Sequence, residues 1–286
     1  MLRSIVPIAK NTFTDLVRQK VFIIILIFAL CAIGSSLLMA KLTFQEEFQM
    51  LKDVCLGAMS IFTSLLAILA TSAFLPQDLG DRTIYTLLSK PVPRFAYLLG
   101  KLSGIILLLF LFTVIMSALF CGVLWLREQQ VLTETMAQMQ GAPADELKAA
   151  LANVTNATFN INLVPGILII FVKSALLAAM TLLISTFATS SLFTVMIAAA
   201  IYFIGHLQAT AREYWLQSSG SGPLTTTLSA ILALIFPDLQ AFNLTDDVIA
   251  GAAISWSIFL QTFALGWVYV AVYFAVGAFV FSGREL

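Results

Sequence analysis

Charge is confined to short clusters along this chain, and the stretches between them are long and apolar. No Asp, Glu, Lys or Arg occurs in residues 21–40, 54–77, 102–126 or 248–283, and residues 163–206 contain one, Lys173. An α-helix rises 1.5 Å per residue, so about 20 apolar residues cross a hydrocarbon layer about 30 Å thick. The pattern therefore predicts membrane spans over residues 21–40, 54–75 (closed by Pro76), 102–126 and 252–281. Residues 163–206 are too many for one upright span and enough for two, with the turn expected at Ser185, Thr186, Thr189, Ser190 and Ser191. The first apolar stretch exceeds the core of a cleaved leader, about 7–15 residues, and is expected to remain as a span.

The segments between the spans carry their own patterns. In residues 1–20, Ile5, Ile8, Ala9, Phe13, Leu16 and Val17 share one helical stripe, opposite Arg3, Lys10, Thr14 and Arg18. This predicts an amphipathic helix on the membrane surface, capped by Ser4 and tolerating Pro7 in its first turn. Residues 127–162 form a polar excursion in which Asp145 to Leu151 are good helix formers and Pro143 can start the helix. Residues 224–236 are apolar but only thirteen long and are closed by Pro237, a length that suits a re-entrant or interfacial element. The fold expected is an all-α integral membrane protein with six transmembrane helices, an interfacial helix over 1–20, and a short re-entrant element before the last span. Residues 21–286 then form one transmembrane domain, with loops at 77–101 and 127–162 and an outer segment at 224–244.

Composition agrees: charged residues make up 10% of the chain, where a soluble domain carries about a quarter. The net charge of zero gives no pull toward nucleic acid, but its distribution is uneven. With six spans both termini lie on one side, together with the 77–101 loop. That side holds nine basic residues against four acidic, and the other holds five against eleven. The basic side is expected to be cytoplasmic.

Catalytic chemistry is hard to assemble from these residues. His206 is the one histidine, and next to a polar loop it reads as a packing or interfacial residue. Cys31, Cys55 and Cys121 have no ligand spacing and read as small core hydrophobes. No serine lies in a nucleophile motif. Glu46 and Glu47 lack the histidines and the nearby arginine that a membrane metalloprotease would need. Gly100–Lys101 looks like the end of a phosphate-binding loop, but Phe95 and Leu102 stand where the fingerprint needs Gly and Ser or Thr. Lys173 is the one charge expected deep in a span, which makes it the candidate for a pathway residue. The bland alternative is that it snorkels or pairs structurally with an acid.

The most informative stretch is 77–101, QDLGDRTIYTLLSKPVPRFAYLLGK. Its Asp78, Gly80, Asp81, Thr83, Leu87, Leu88, Ser89, Pro91, Val92, Arg94, Gly100 and Lys101 resemble the loop after the second span in type-2 ATP-binding-cassette (ABC) permeases. Arg82 departs from the family pattern, which more often has glycine before the threonine. The segment PDLQAFNL, from Pro237 to Leu244, and the terminal Arg284 to Leu286 are similar to further family features. From the residues alone, Thr83 can cap a short helix with Ile84, Leu87 and Leu88 on its apolar side, ended before Pro91.

The resemblance implies a permease subunit, with an exporter favoured. Asp81, Arg82, Thr83, Leu87, Leu88, Lys90, Pro91 and Arg94 would couple it to a separate ATPase that binds ATP and Mg. It implies a second permease copy or a sister permease, contact with membrane lipids, and a place in the cytoplasmic (inner) membrane with both termini cytoplasmic. Pro237, Asp238, Phe242 and Asn243 would form an outer gate. No catalytic residue, metal site or cofactor of the chain's own is expected. The rival readings are a non-transporting scaffold subunit and an ion-gradient-driven transporter; the latter would be expected to show acids inside the spans, and all fifteen acids lie outside them.

Overall fold

The computed structural model describes residues 2–40, 47–73, 93–139, 143–160, 162–217, 237–244, 248–249 and 255–283. They form helices α1 (Leu2–Val17), α2 (Lys20–Ala40), α3 (Glu47–Ser72), α4 (Arg94–Gln138), α5 (Ala144–Thr158), α6 (Leu163–Phe187), α7 (Ser191–Gln217) and α8 (Trp256–Gly283), with no strand among the described residues. Six of them, α2, α3, α4, α6, α7 and α8, contain stretches long and apolar enough to cross a membrane. The two spans expected within 163–206 part at residues 188–190, inside the polar cluster, and the short helix α5 follows Pro143.

α6 is the centre of the bundle. It packs against α3, α4, α7 and α8, and nearly every side chain from Ile169 to Leu182 is buried. A helix apolar on all sides suits such a position. Its closest neighbour is α8, which approaches through small residues. A Cβ on Gly266 would overlap Val172 Cγ1, and one on Gly277 would lie 3.5 Å from the Leu183 backbone. Lipid tails give helices no hydrophobic reason to associate, so close packing through glycine supplies the attraction instead.

α4 departs from the expected span. It runs for 45 residues, about 67 Å at 1.5 Å per residue, well beyond the bilayer core. Its polar end continues as helix to Gln138, because Arg127 is held by Glu47 of α3 (2.6 Å) and by Gln130 one turn on (2.9 Å). Glu47 thus has an arginine beside it after all, from a distant part of the sequence. α5 folds back on α4, and Lys52 of α3 donates to the Ala157 carbonyl in its last turn (2.7 Å). Carbonyls at a helix C-terminus have no partner within the helix, and a lysine there satisfies one.

α1 lies on the start of α4. The spacing Gly100-x-x-x-Gly104 opens a shallow groove, and Ile8, Ala9 and Thr12 fill it. A Cβ on Gly104 would sit 2.7 Å from the Ala9 carbonyl oxygen, so only glycine allows this approach. Part of the apolar stripe expected to face lipid is therefore covered by protein, with Leu16 and Thr12 fully buried. The helix begins at Leu2, which places Ser4 inside it rather than at its cap, and it continues through Pro7. Cys55 is buried as expected, whereas Cys31 and Cys121 lie on outward faces of α2 and α4.

Candidate functional site

A cavity of about 540 Å³ opens between α3, α6 and α7. α3 contributes Asp53, Gly57, Ser60 and Ile61. Asp53, Gly57 and Ser60 recur at steps of four and three, which puts them on one face of the helix. α7 contributes Tyr202, Phe203 and His206, the middle segment of α6 contributes Lys173, and the outer segment contributes Asn243.

Lys173 is 3% exposed. Its Nζ donates to Ser60 Oγ at 2.8 Å and lies 3.4 Å from His206 Nε2. The tautomer of His206 follows from its other contact. Nδ1 is 3.0 Å from the Tyr202 carbonyl, which only accepts, so Nδ1 carries the hydrogen and Nε2 presents its lone pair to the lysine. The ring also stacks at a tilt on Tyr202, with centroids 4.3 Å apart. Both partners of Lys173 are neutral. The acid that a structural pairing would require is not among its contacts in the described residues.

The segment after Pro237 is joined to this cavity through α7. Leu239 N–H donates to the Gly205 carbonyl at 3.1 Å, and a Cβ on Gly205 would meet Leu239 Cγ at 2.8 Å and the Pro237 carbonyl at 3.0 Å. Asp238 Oδ1 accepts from the backbone N–H groups of Gln240 (3.0 Å) and Ala241 (3.3 Å), which fixes the turn. Phe242 is buried against Gly266 of α8, so it anchors the segment. Of the four residues expected at an outer gate, Asn243 alone lines the cavity.

At the opposite end of the bundle, Arg94 opens α4. It donates to the carbonyls of Phe281 (3.2 Å) and Ser282 (2.9 Å) in the last turn of α8. Asp81, Arg82, Thr83, Leu87, Leu88, Lys90 and Pro91, expected to couple to an ATPase, lie outside the described residues, as do residues 224–236 and the terminal Arg284 to Leu286.

Lys173 stands out in the sequence, and its partners do not. The polar steps Asp53, Gly57 and Ser60 within an apolar span were the available signal for α3, and the only histidine was the signal for α7. What the arrangement offers chemically is a buried hydrogen-bond donor with a charge-bearing group, set among neutral acceptors and beside open volume.

A family model described as ABC-2 family transporter protein matches residues 6–286. Among curated proteins, none matches the chain.

Proposed function

The chain belongs to the ABC-2 family of transporter proteins, and from that premise we propose that it is the permease subunit of an ABC exporter in the cytoplasmic membrane. The match over residues 6–286, together with six helices long and apolar enough to span, carries the reading of a multi-pass transport subunit. The finer parts rest on the residues. Basic side chains gather on the side of the termini and the 77–101 loop, which supports a cytoplasmic placement for that loop. There a soluble ATPase holding ATP and Mg reaches it, and the segment from Thr83 to Pro91 is the docking element. Arg94 follows directly and ties α4 to the end of α8, so a push on the loop reaches two spans as one body.

Two permeases, identical or sisters, enclose the path, with lipid on the outward faces of α2, α7 and α8. ATP binding closes the ATPases and shifts the permease between two states in proportion to its differential contacts with each. The cavity around Lys173 belongs to that path, and the segment from Pro237 to Asn243, fixed to α7 at Gly205, shapes its outer end.

The test is co-purification with an ATPase carrying a phosphate-binding loop from the native membrane. Replacing Leu87 and Leu88 together with Asp is expected to abolish recovery of the ATPase while the permease itself is still made and inserted. Undiminished recovery from the double variant would remove the docking role, and failure to recover any ATPase with the unaltered chain would remove the motor.

A further inference from the structure

We propose that the cavity between α3 and α7 is a subsite for the acidic head of a membrane-borne amphiphile, with Lys173 as the group that recognises the carboxylate or phosphate. The proposal deepens the permease reading and rests on it for its link to transport.

The first support is the unbalanced polarity of the site. An ionisable side chain inside a span is costly and persists where something offsets the cost. Lys173 is almost fully buried, yet its two partners, Ser60 and His206, bring lone pairs and no negative charge. An ammonium has three donors, and the third has no partner among the described residues. An anion arriving in the cavity completes the set with a charge-assisted hydrogen bond, which is shorter and stronger than a neutral one.

The second support is size and access. At about 540 Å³ the cavity falls within the range of roughly 300–1,000 Å³ typical of small-molecule sites. Two apolar residues that line it, Ile61 and Phe203, are 58% and 64% exposed. They stand on spans whose outward faces must be apolar, so a ligand passing between them has an apolar body and comes from the bilayer.

The one carboxylate among the described lining residues, Asp53, does not fill the same role. It is seven residues from Ser60 on α3, about 10 Å along the axis at 1.5 Å per residue, and it is exposed. It stands toward one end of the cavity and makes no ion pair with Lys173.

Equilibrium binding to the purified chain in phosphatidylcholine nanodiscs tests the proposal, with empty discs as the background. The probes are labelled dodecanoate, dodecanol of the same chain length, and acetate. Dodecanoate is expected to bind at least tenfold more tightly than dodecanol, Lys173→Met to bring the two level, and millimolar acetate to leave bound dodecanoate in place. Equal binding of acid and alcohol to the unaltered chain overturns the proposal without recourse to any variant. A tenfold preference surviving in Lys173→Met overturns the role of the lysine, and displacement by acetate overturns the membrane as the source. No ATPase is present in this experiment, so its failure leaves the motor-driven reading standing, and loss of ATPase co-purification leaves this one standing.

Discussion

Arg94, the first residue of α4, donates through Nη1 to the carbonyl oxygen of Ser282 at 2.9 Å, in the last turn of α8. The guanidinium also reaches the Phe281 carbonyl and lies 6.0 Å from the centre of the Phe281 ring, which stacks on Tyr97 one turn into α4. A positive side chain at a helix C-terminus meets the negative end of the dipole and satisfies carbonyls that have no partner within the helix. Two spans separated by most of the sequence are thus clasped at the side where the 77–101 loop emerges.

Arg94→Ala is expected to loosen that clasp. Hydrogen bonds to a charged group contribute about 1.5–3 kcal/mol each at most, so a loss of about 2 kcal/mol is the expected scale. Arg94→Lys keeps the charge but not the forked geometry and should fall between the two. Thermal unfolding of the three proteins in identical nanodiscs provides the measurement. An Ala variant as stable as the unaltered chain would mean that the contact does not hold α8.

A second expectation concerns Gly104. A Cβ there meets backbone, the Ala9 carbonyl oxygen at 2.7 Å, which no rotamer change relieves. Gly104→Val should lift α1 from α4. With the native cysteines replaced, a cysteine introduced at Thr12, now fully buried, should react with maleimide several-fold faster in the Val background. Gly122, on the same helix, has nothing within 4 Å of a Cβ. Gly122→Ala should leave labelling unchanged and raise stability by up to about 1 kcal/mol, the usual helix preference of Ala over Gly. Slow labelling in the Gly104→Val protein would show that α1 is seated by other contacts.

These two sites also mark what the sequence made legible. Long gaps between charges located the spans, because a bilayer excludes charge and the gaps record its thickness. The same rule gave the length of the span and not that of helix α4, since a charge-free stretch reports the membrane and not the helix. Helical hydrogen bonding passes through Arg127 to Gln138 undisturbed once Arg127 has Glu47 to pair with. Gly100 and Gly104 stand at a helix-packing spacing, but that spacing does not name the helix that fills the groove. At the candidate site, Lys173 stood out on cost alone. Its partners did not, because Ser60 and His206 lie 113 and 33 residues away and only the packing of α3 and α7 around α6 brings them together. Phe242 is buried against Gly266, which the sequence did not show: an aromatic residue near a surface loop carries no mark of which way it points.

Glu47 and Arg127 supply a third prediction. The pair is 2.6 Å apart, with the arginine side chain 6% exposed and the glutamate 27% exposed. Removing one partner of a pair with a buried member leaves a charge uncompensated, at a cost of about 3–5 kcal/mol when burial is complete. Glu47 is partly wet, and Gln130 and Glu134 remain near the arginine, so Glu47→Ala should cost less, about 1–3 kcal/mol. Glu47→Ala combined with Arg127→Met should cost less than the sum of those two single changes, because the double variant removes both members of the pair. A double-mutant cycle on unfolding midpoints measures the coupling, and additive single effects would show that the two residues act independently.

The last prediction concerns which face of the membrane holds the 77–101 loop. With six spans, nine basic residues against four acidic fall with that loop and the termini, and five against eleven fall on the other side. Excess Lys and Arg in short loops orients a chain toward the cytoplasm, because moving them outward opposes the membrane potential and their attraction to anionic lipid. A single cysteine at Thr83, in an otherwise cysteine-free chain, should therefore resist a membrane-impermeant maleimide in intact cells and react once the membrane is opened. A cysteine at Ala144, at the start of α5, should react in both conditions. The clasp between Arg94 and α8 requires the last span to end on the same side as Thr83, so a cysteine at Gly283 should behave as Thr83 does. Labelling of Thr83 in intact cells would put the loop beyond the reach of any cytosolic ATPase, and no rearrangement of the six spans that preserves the contact between Arg94 and Ser282 would bring it back.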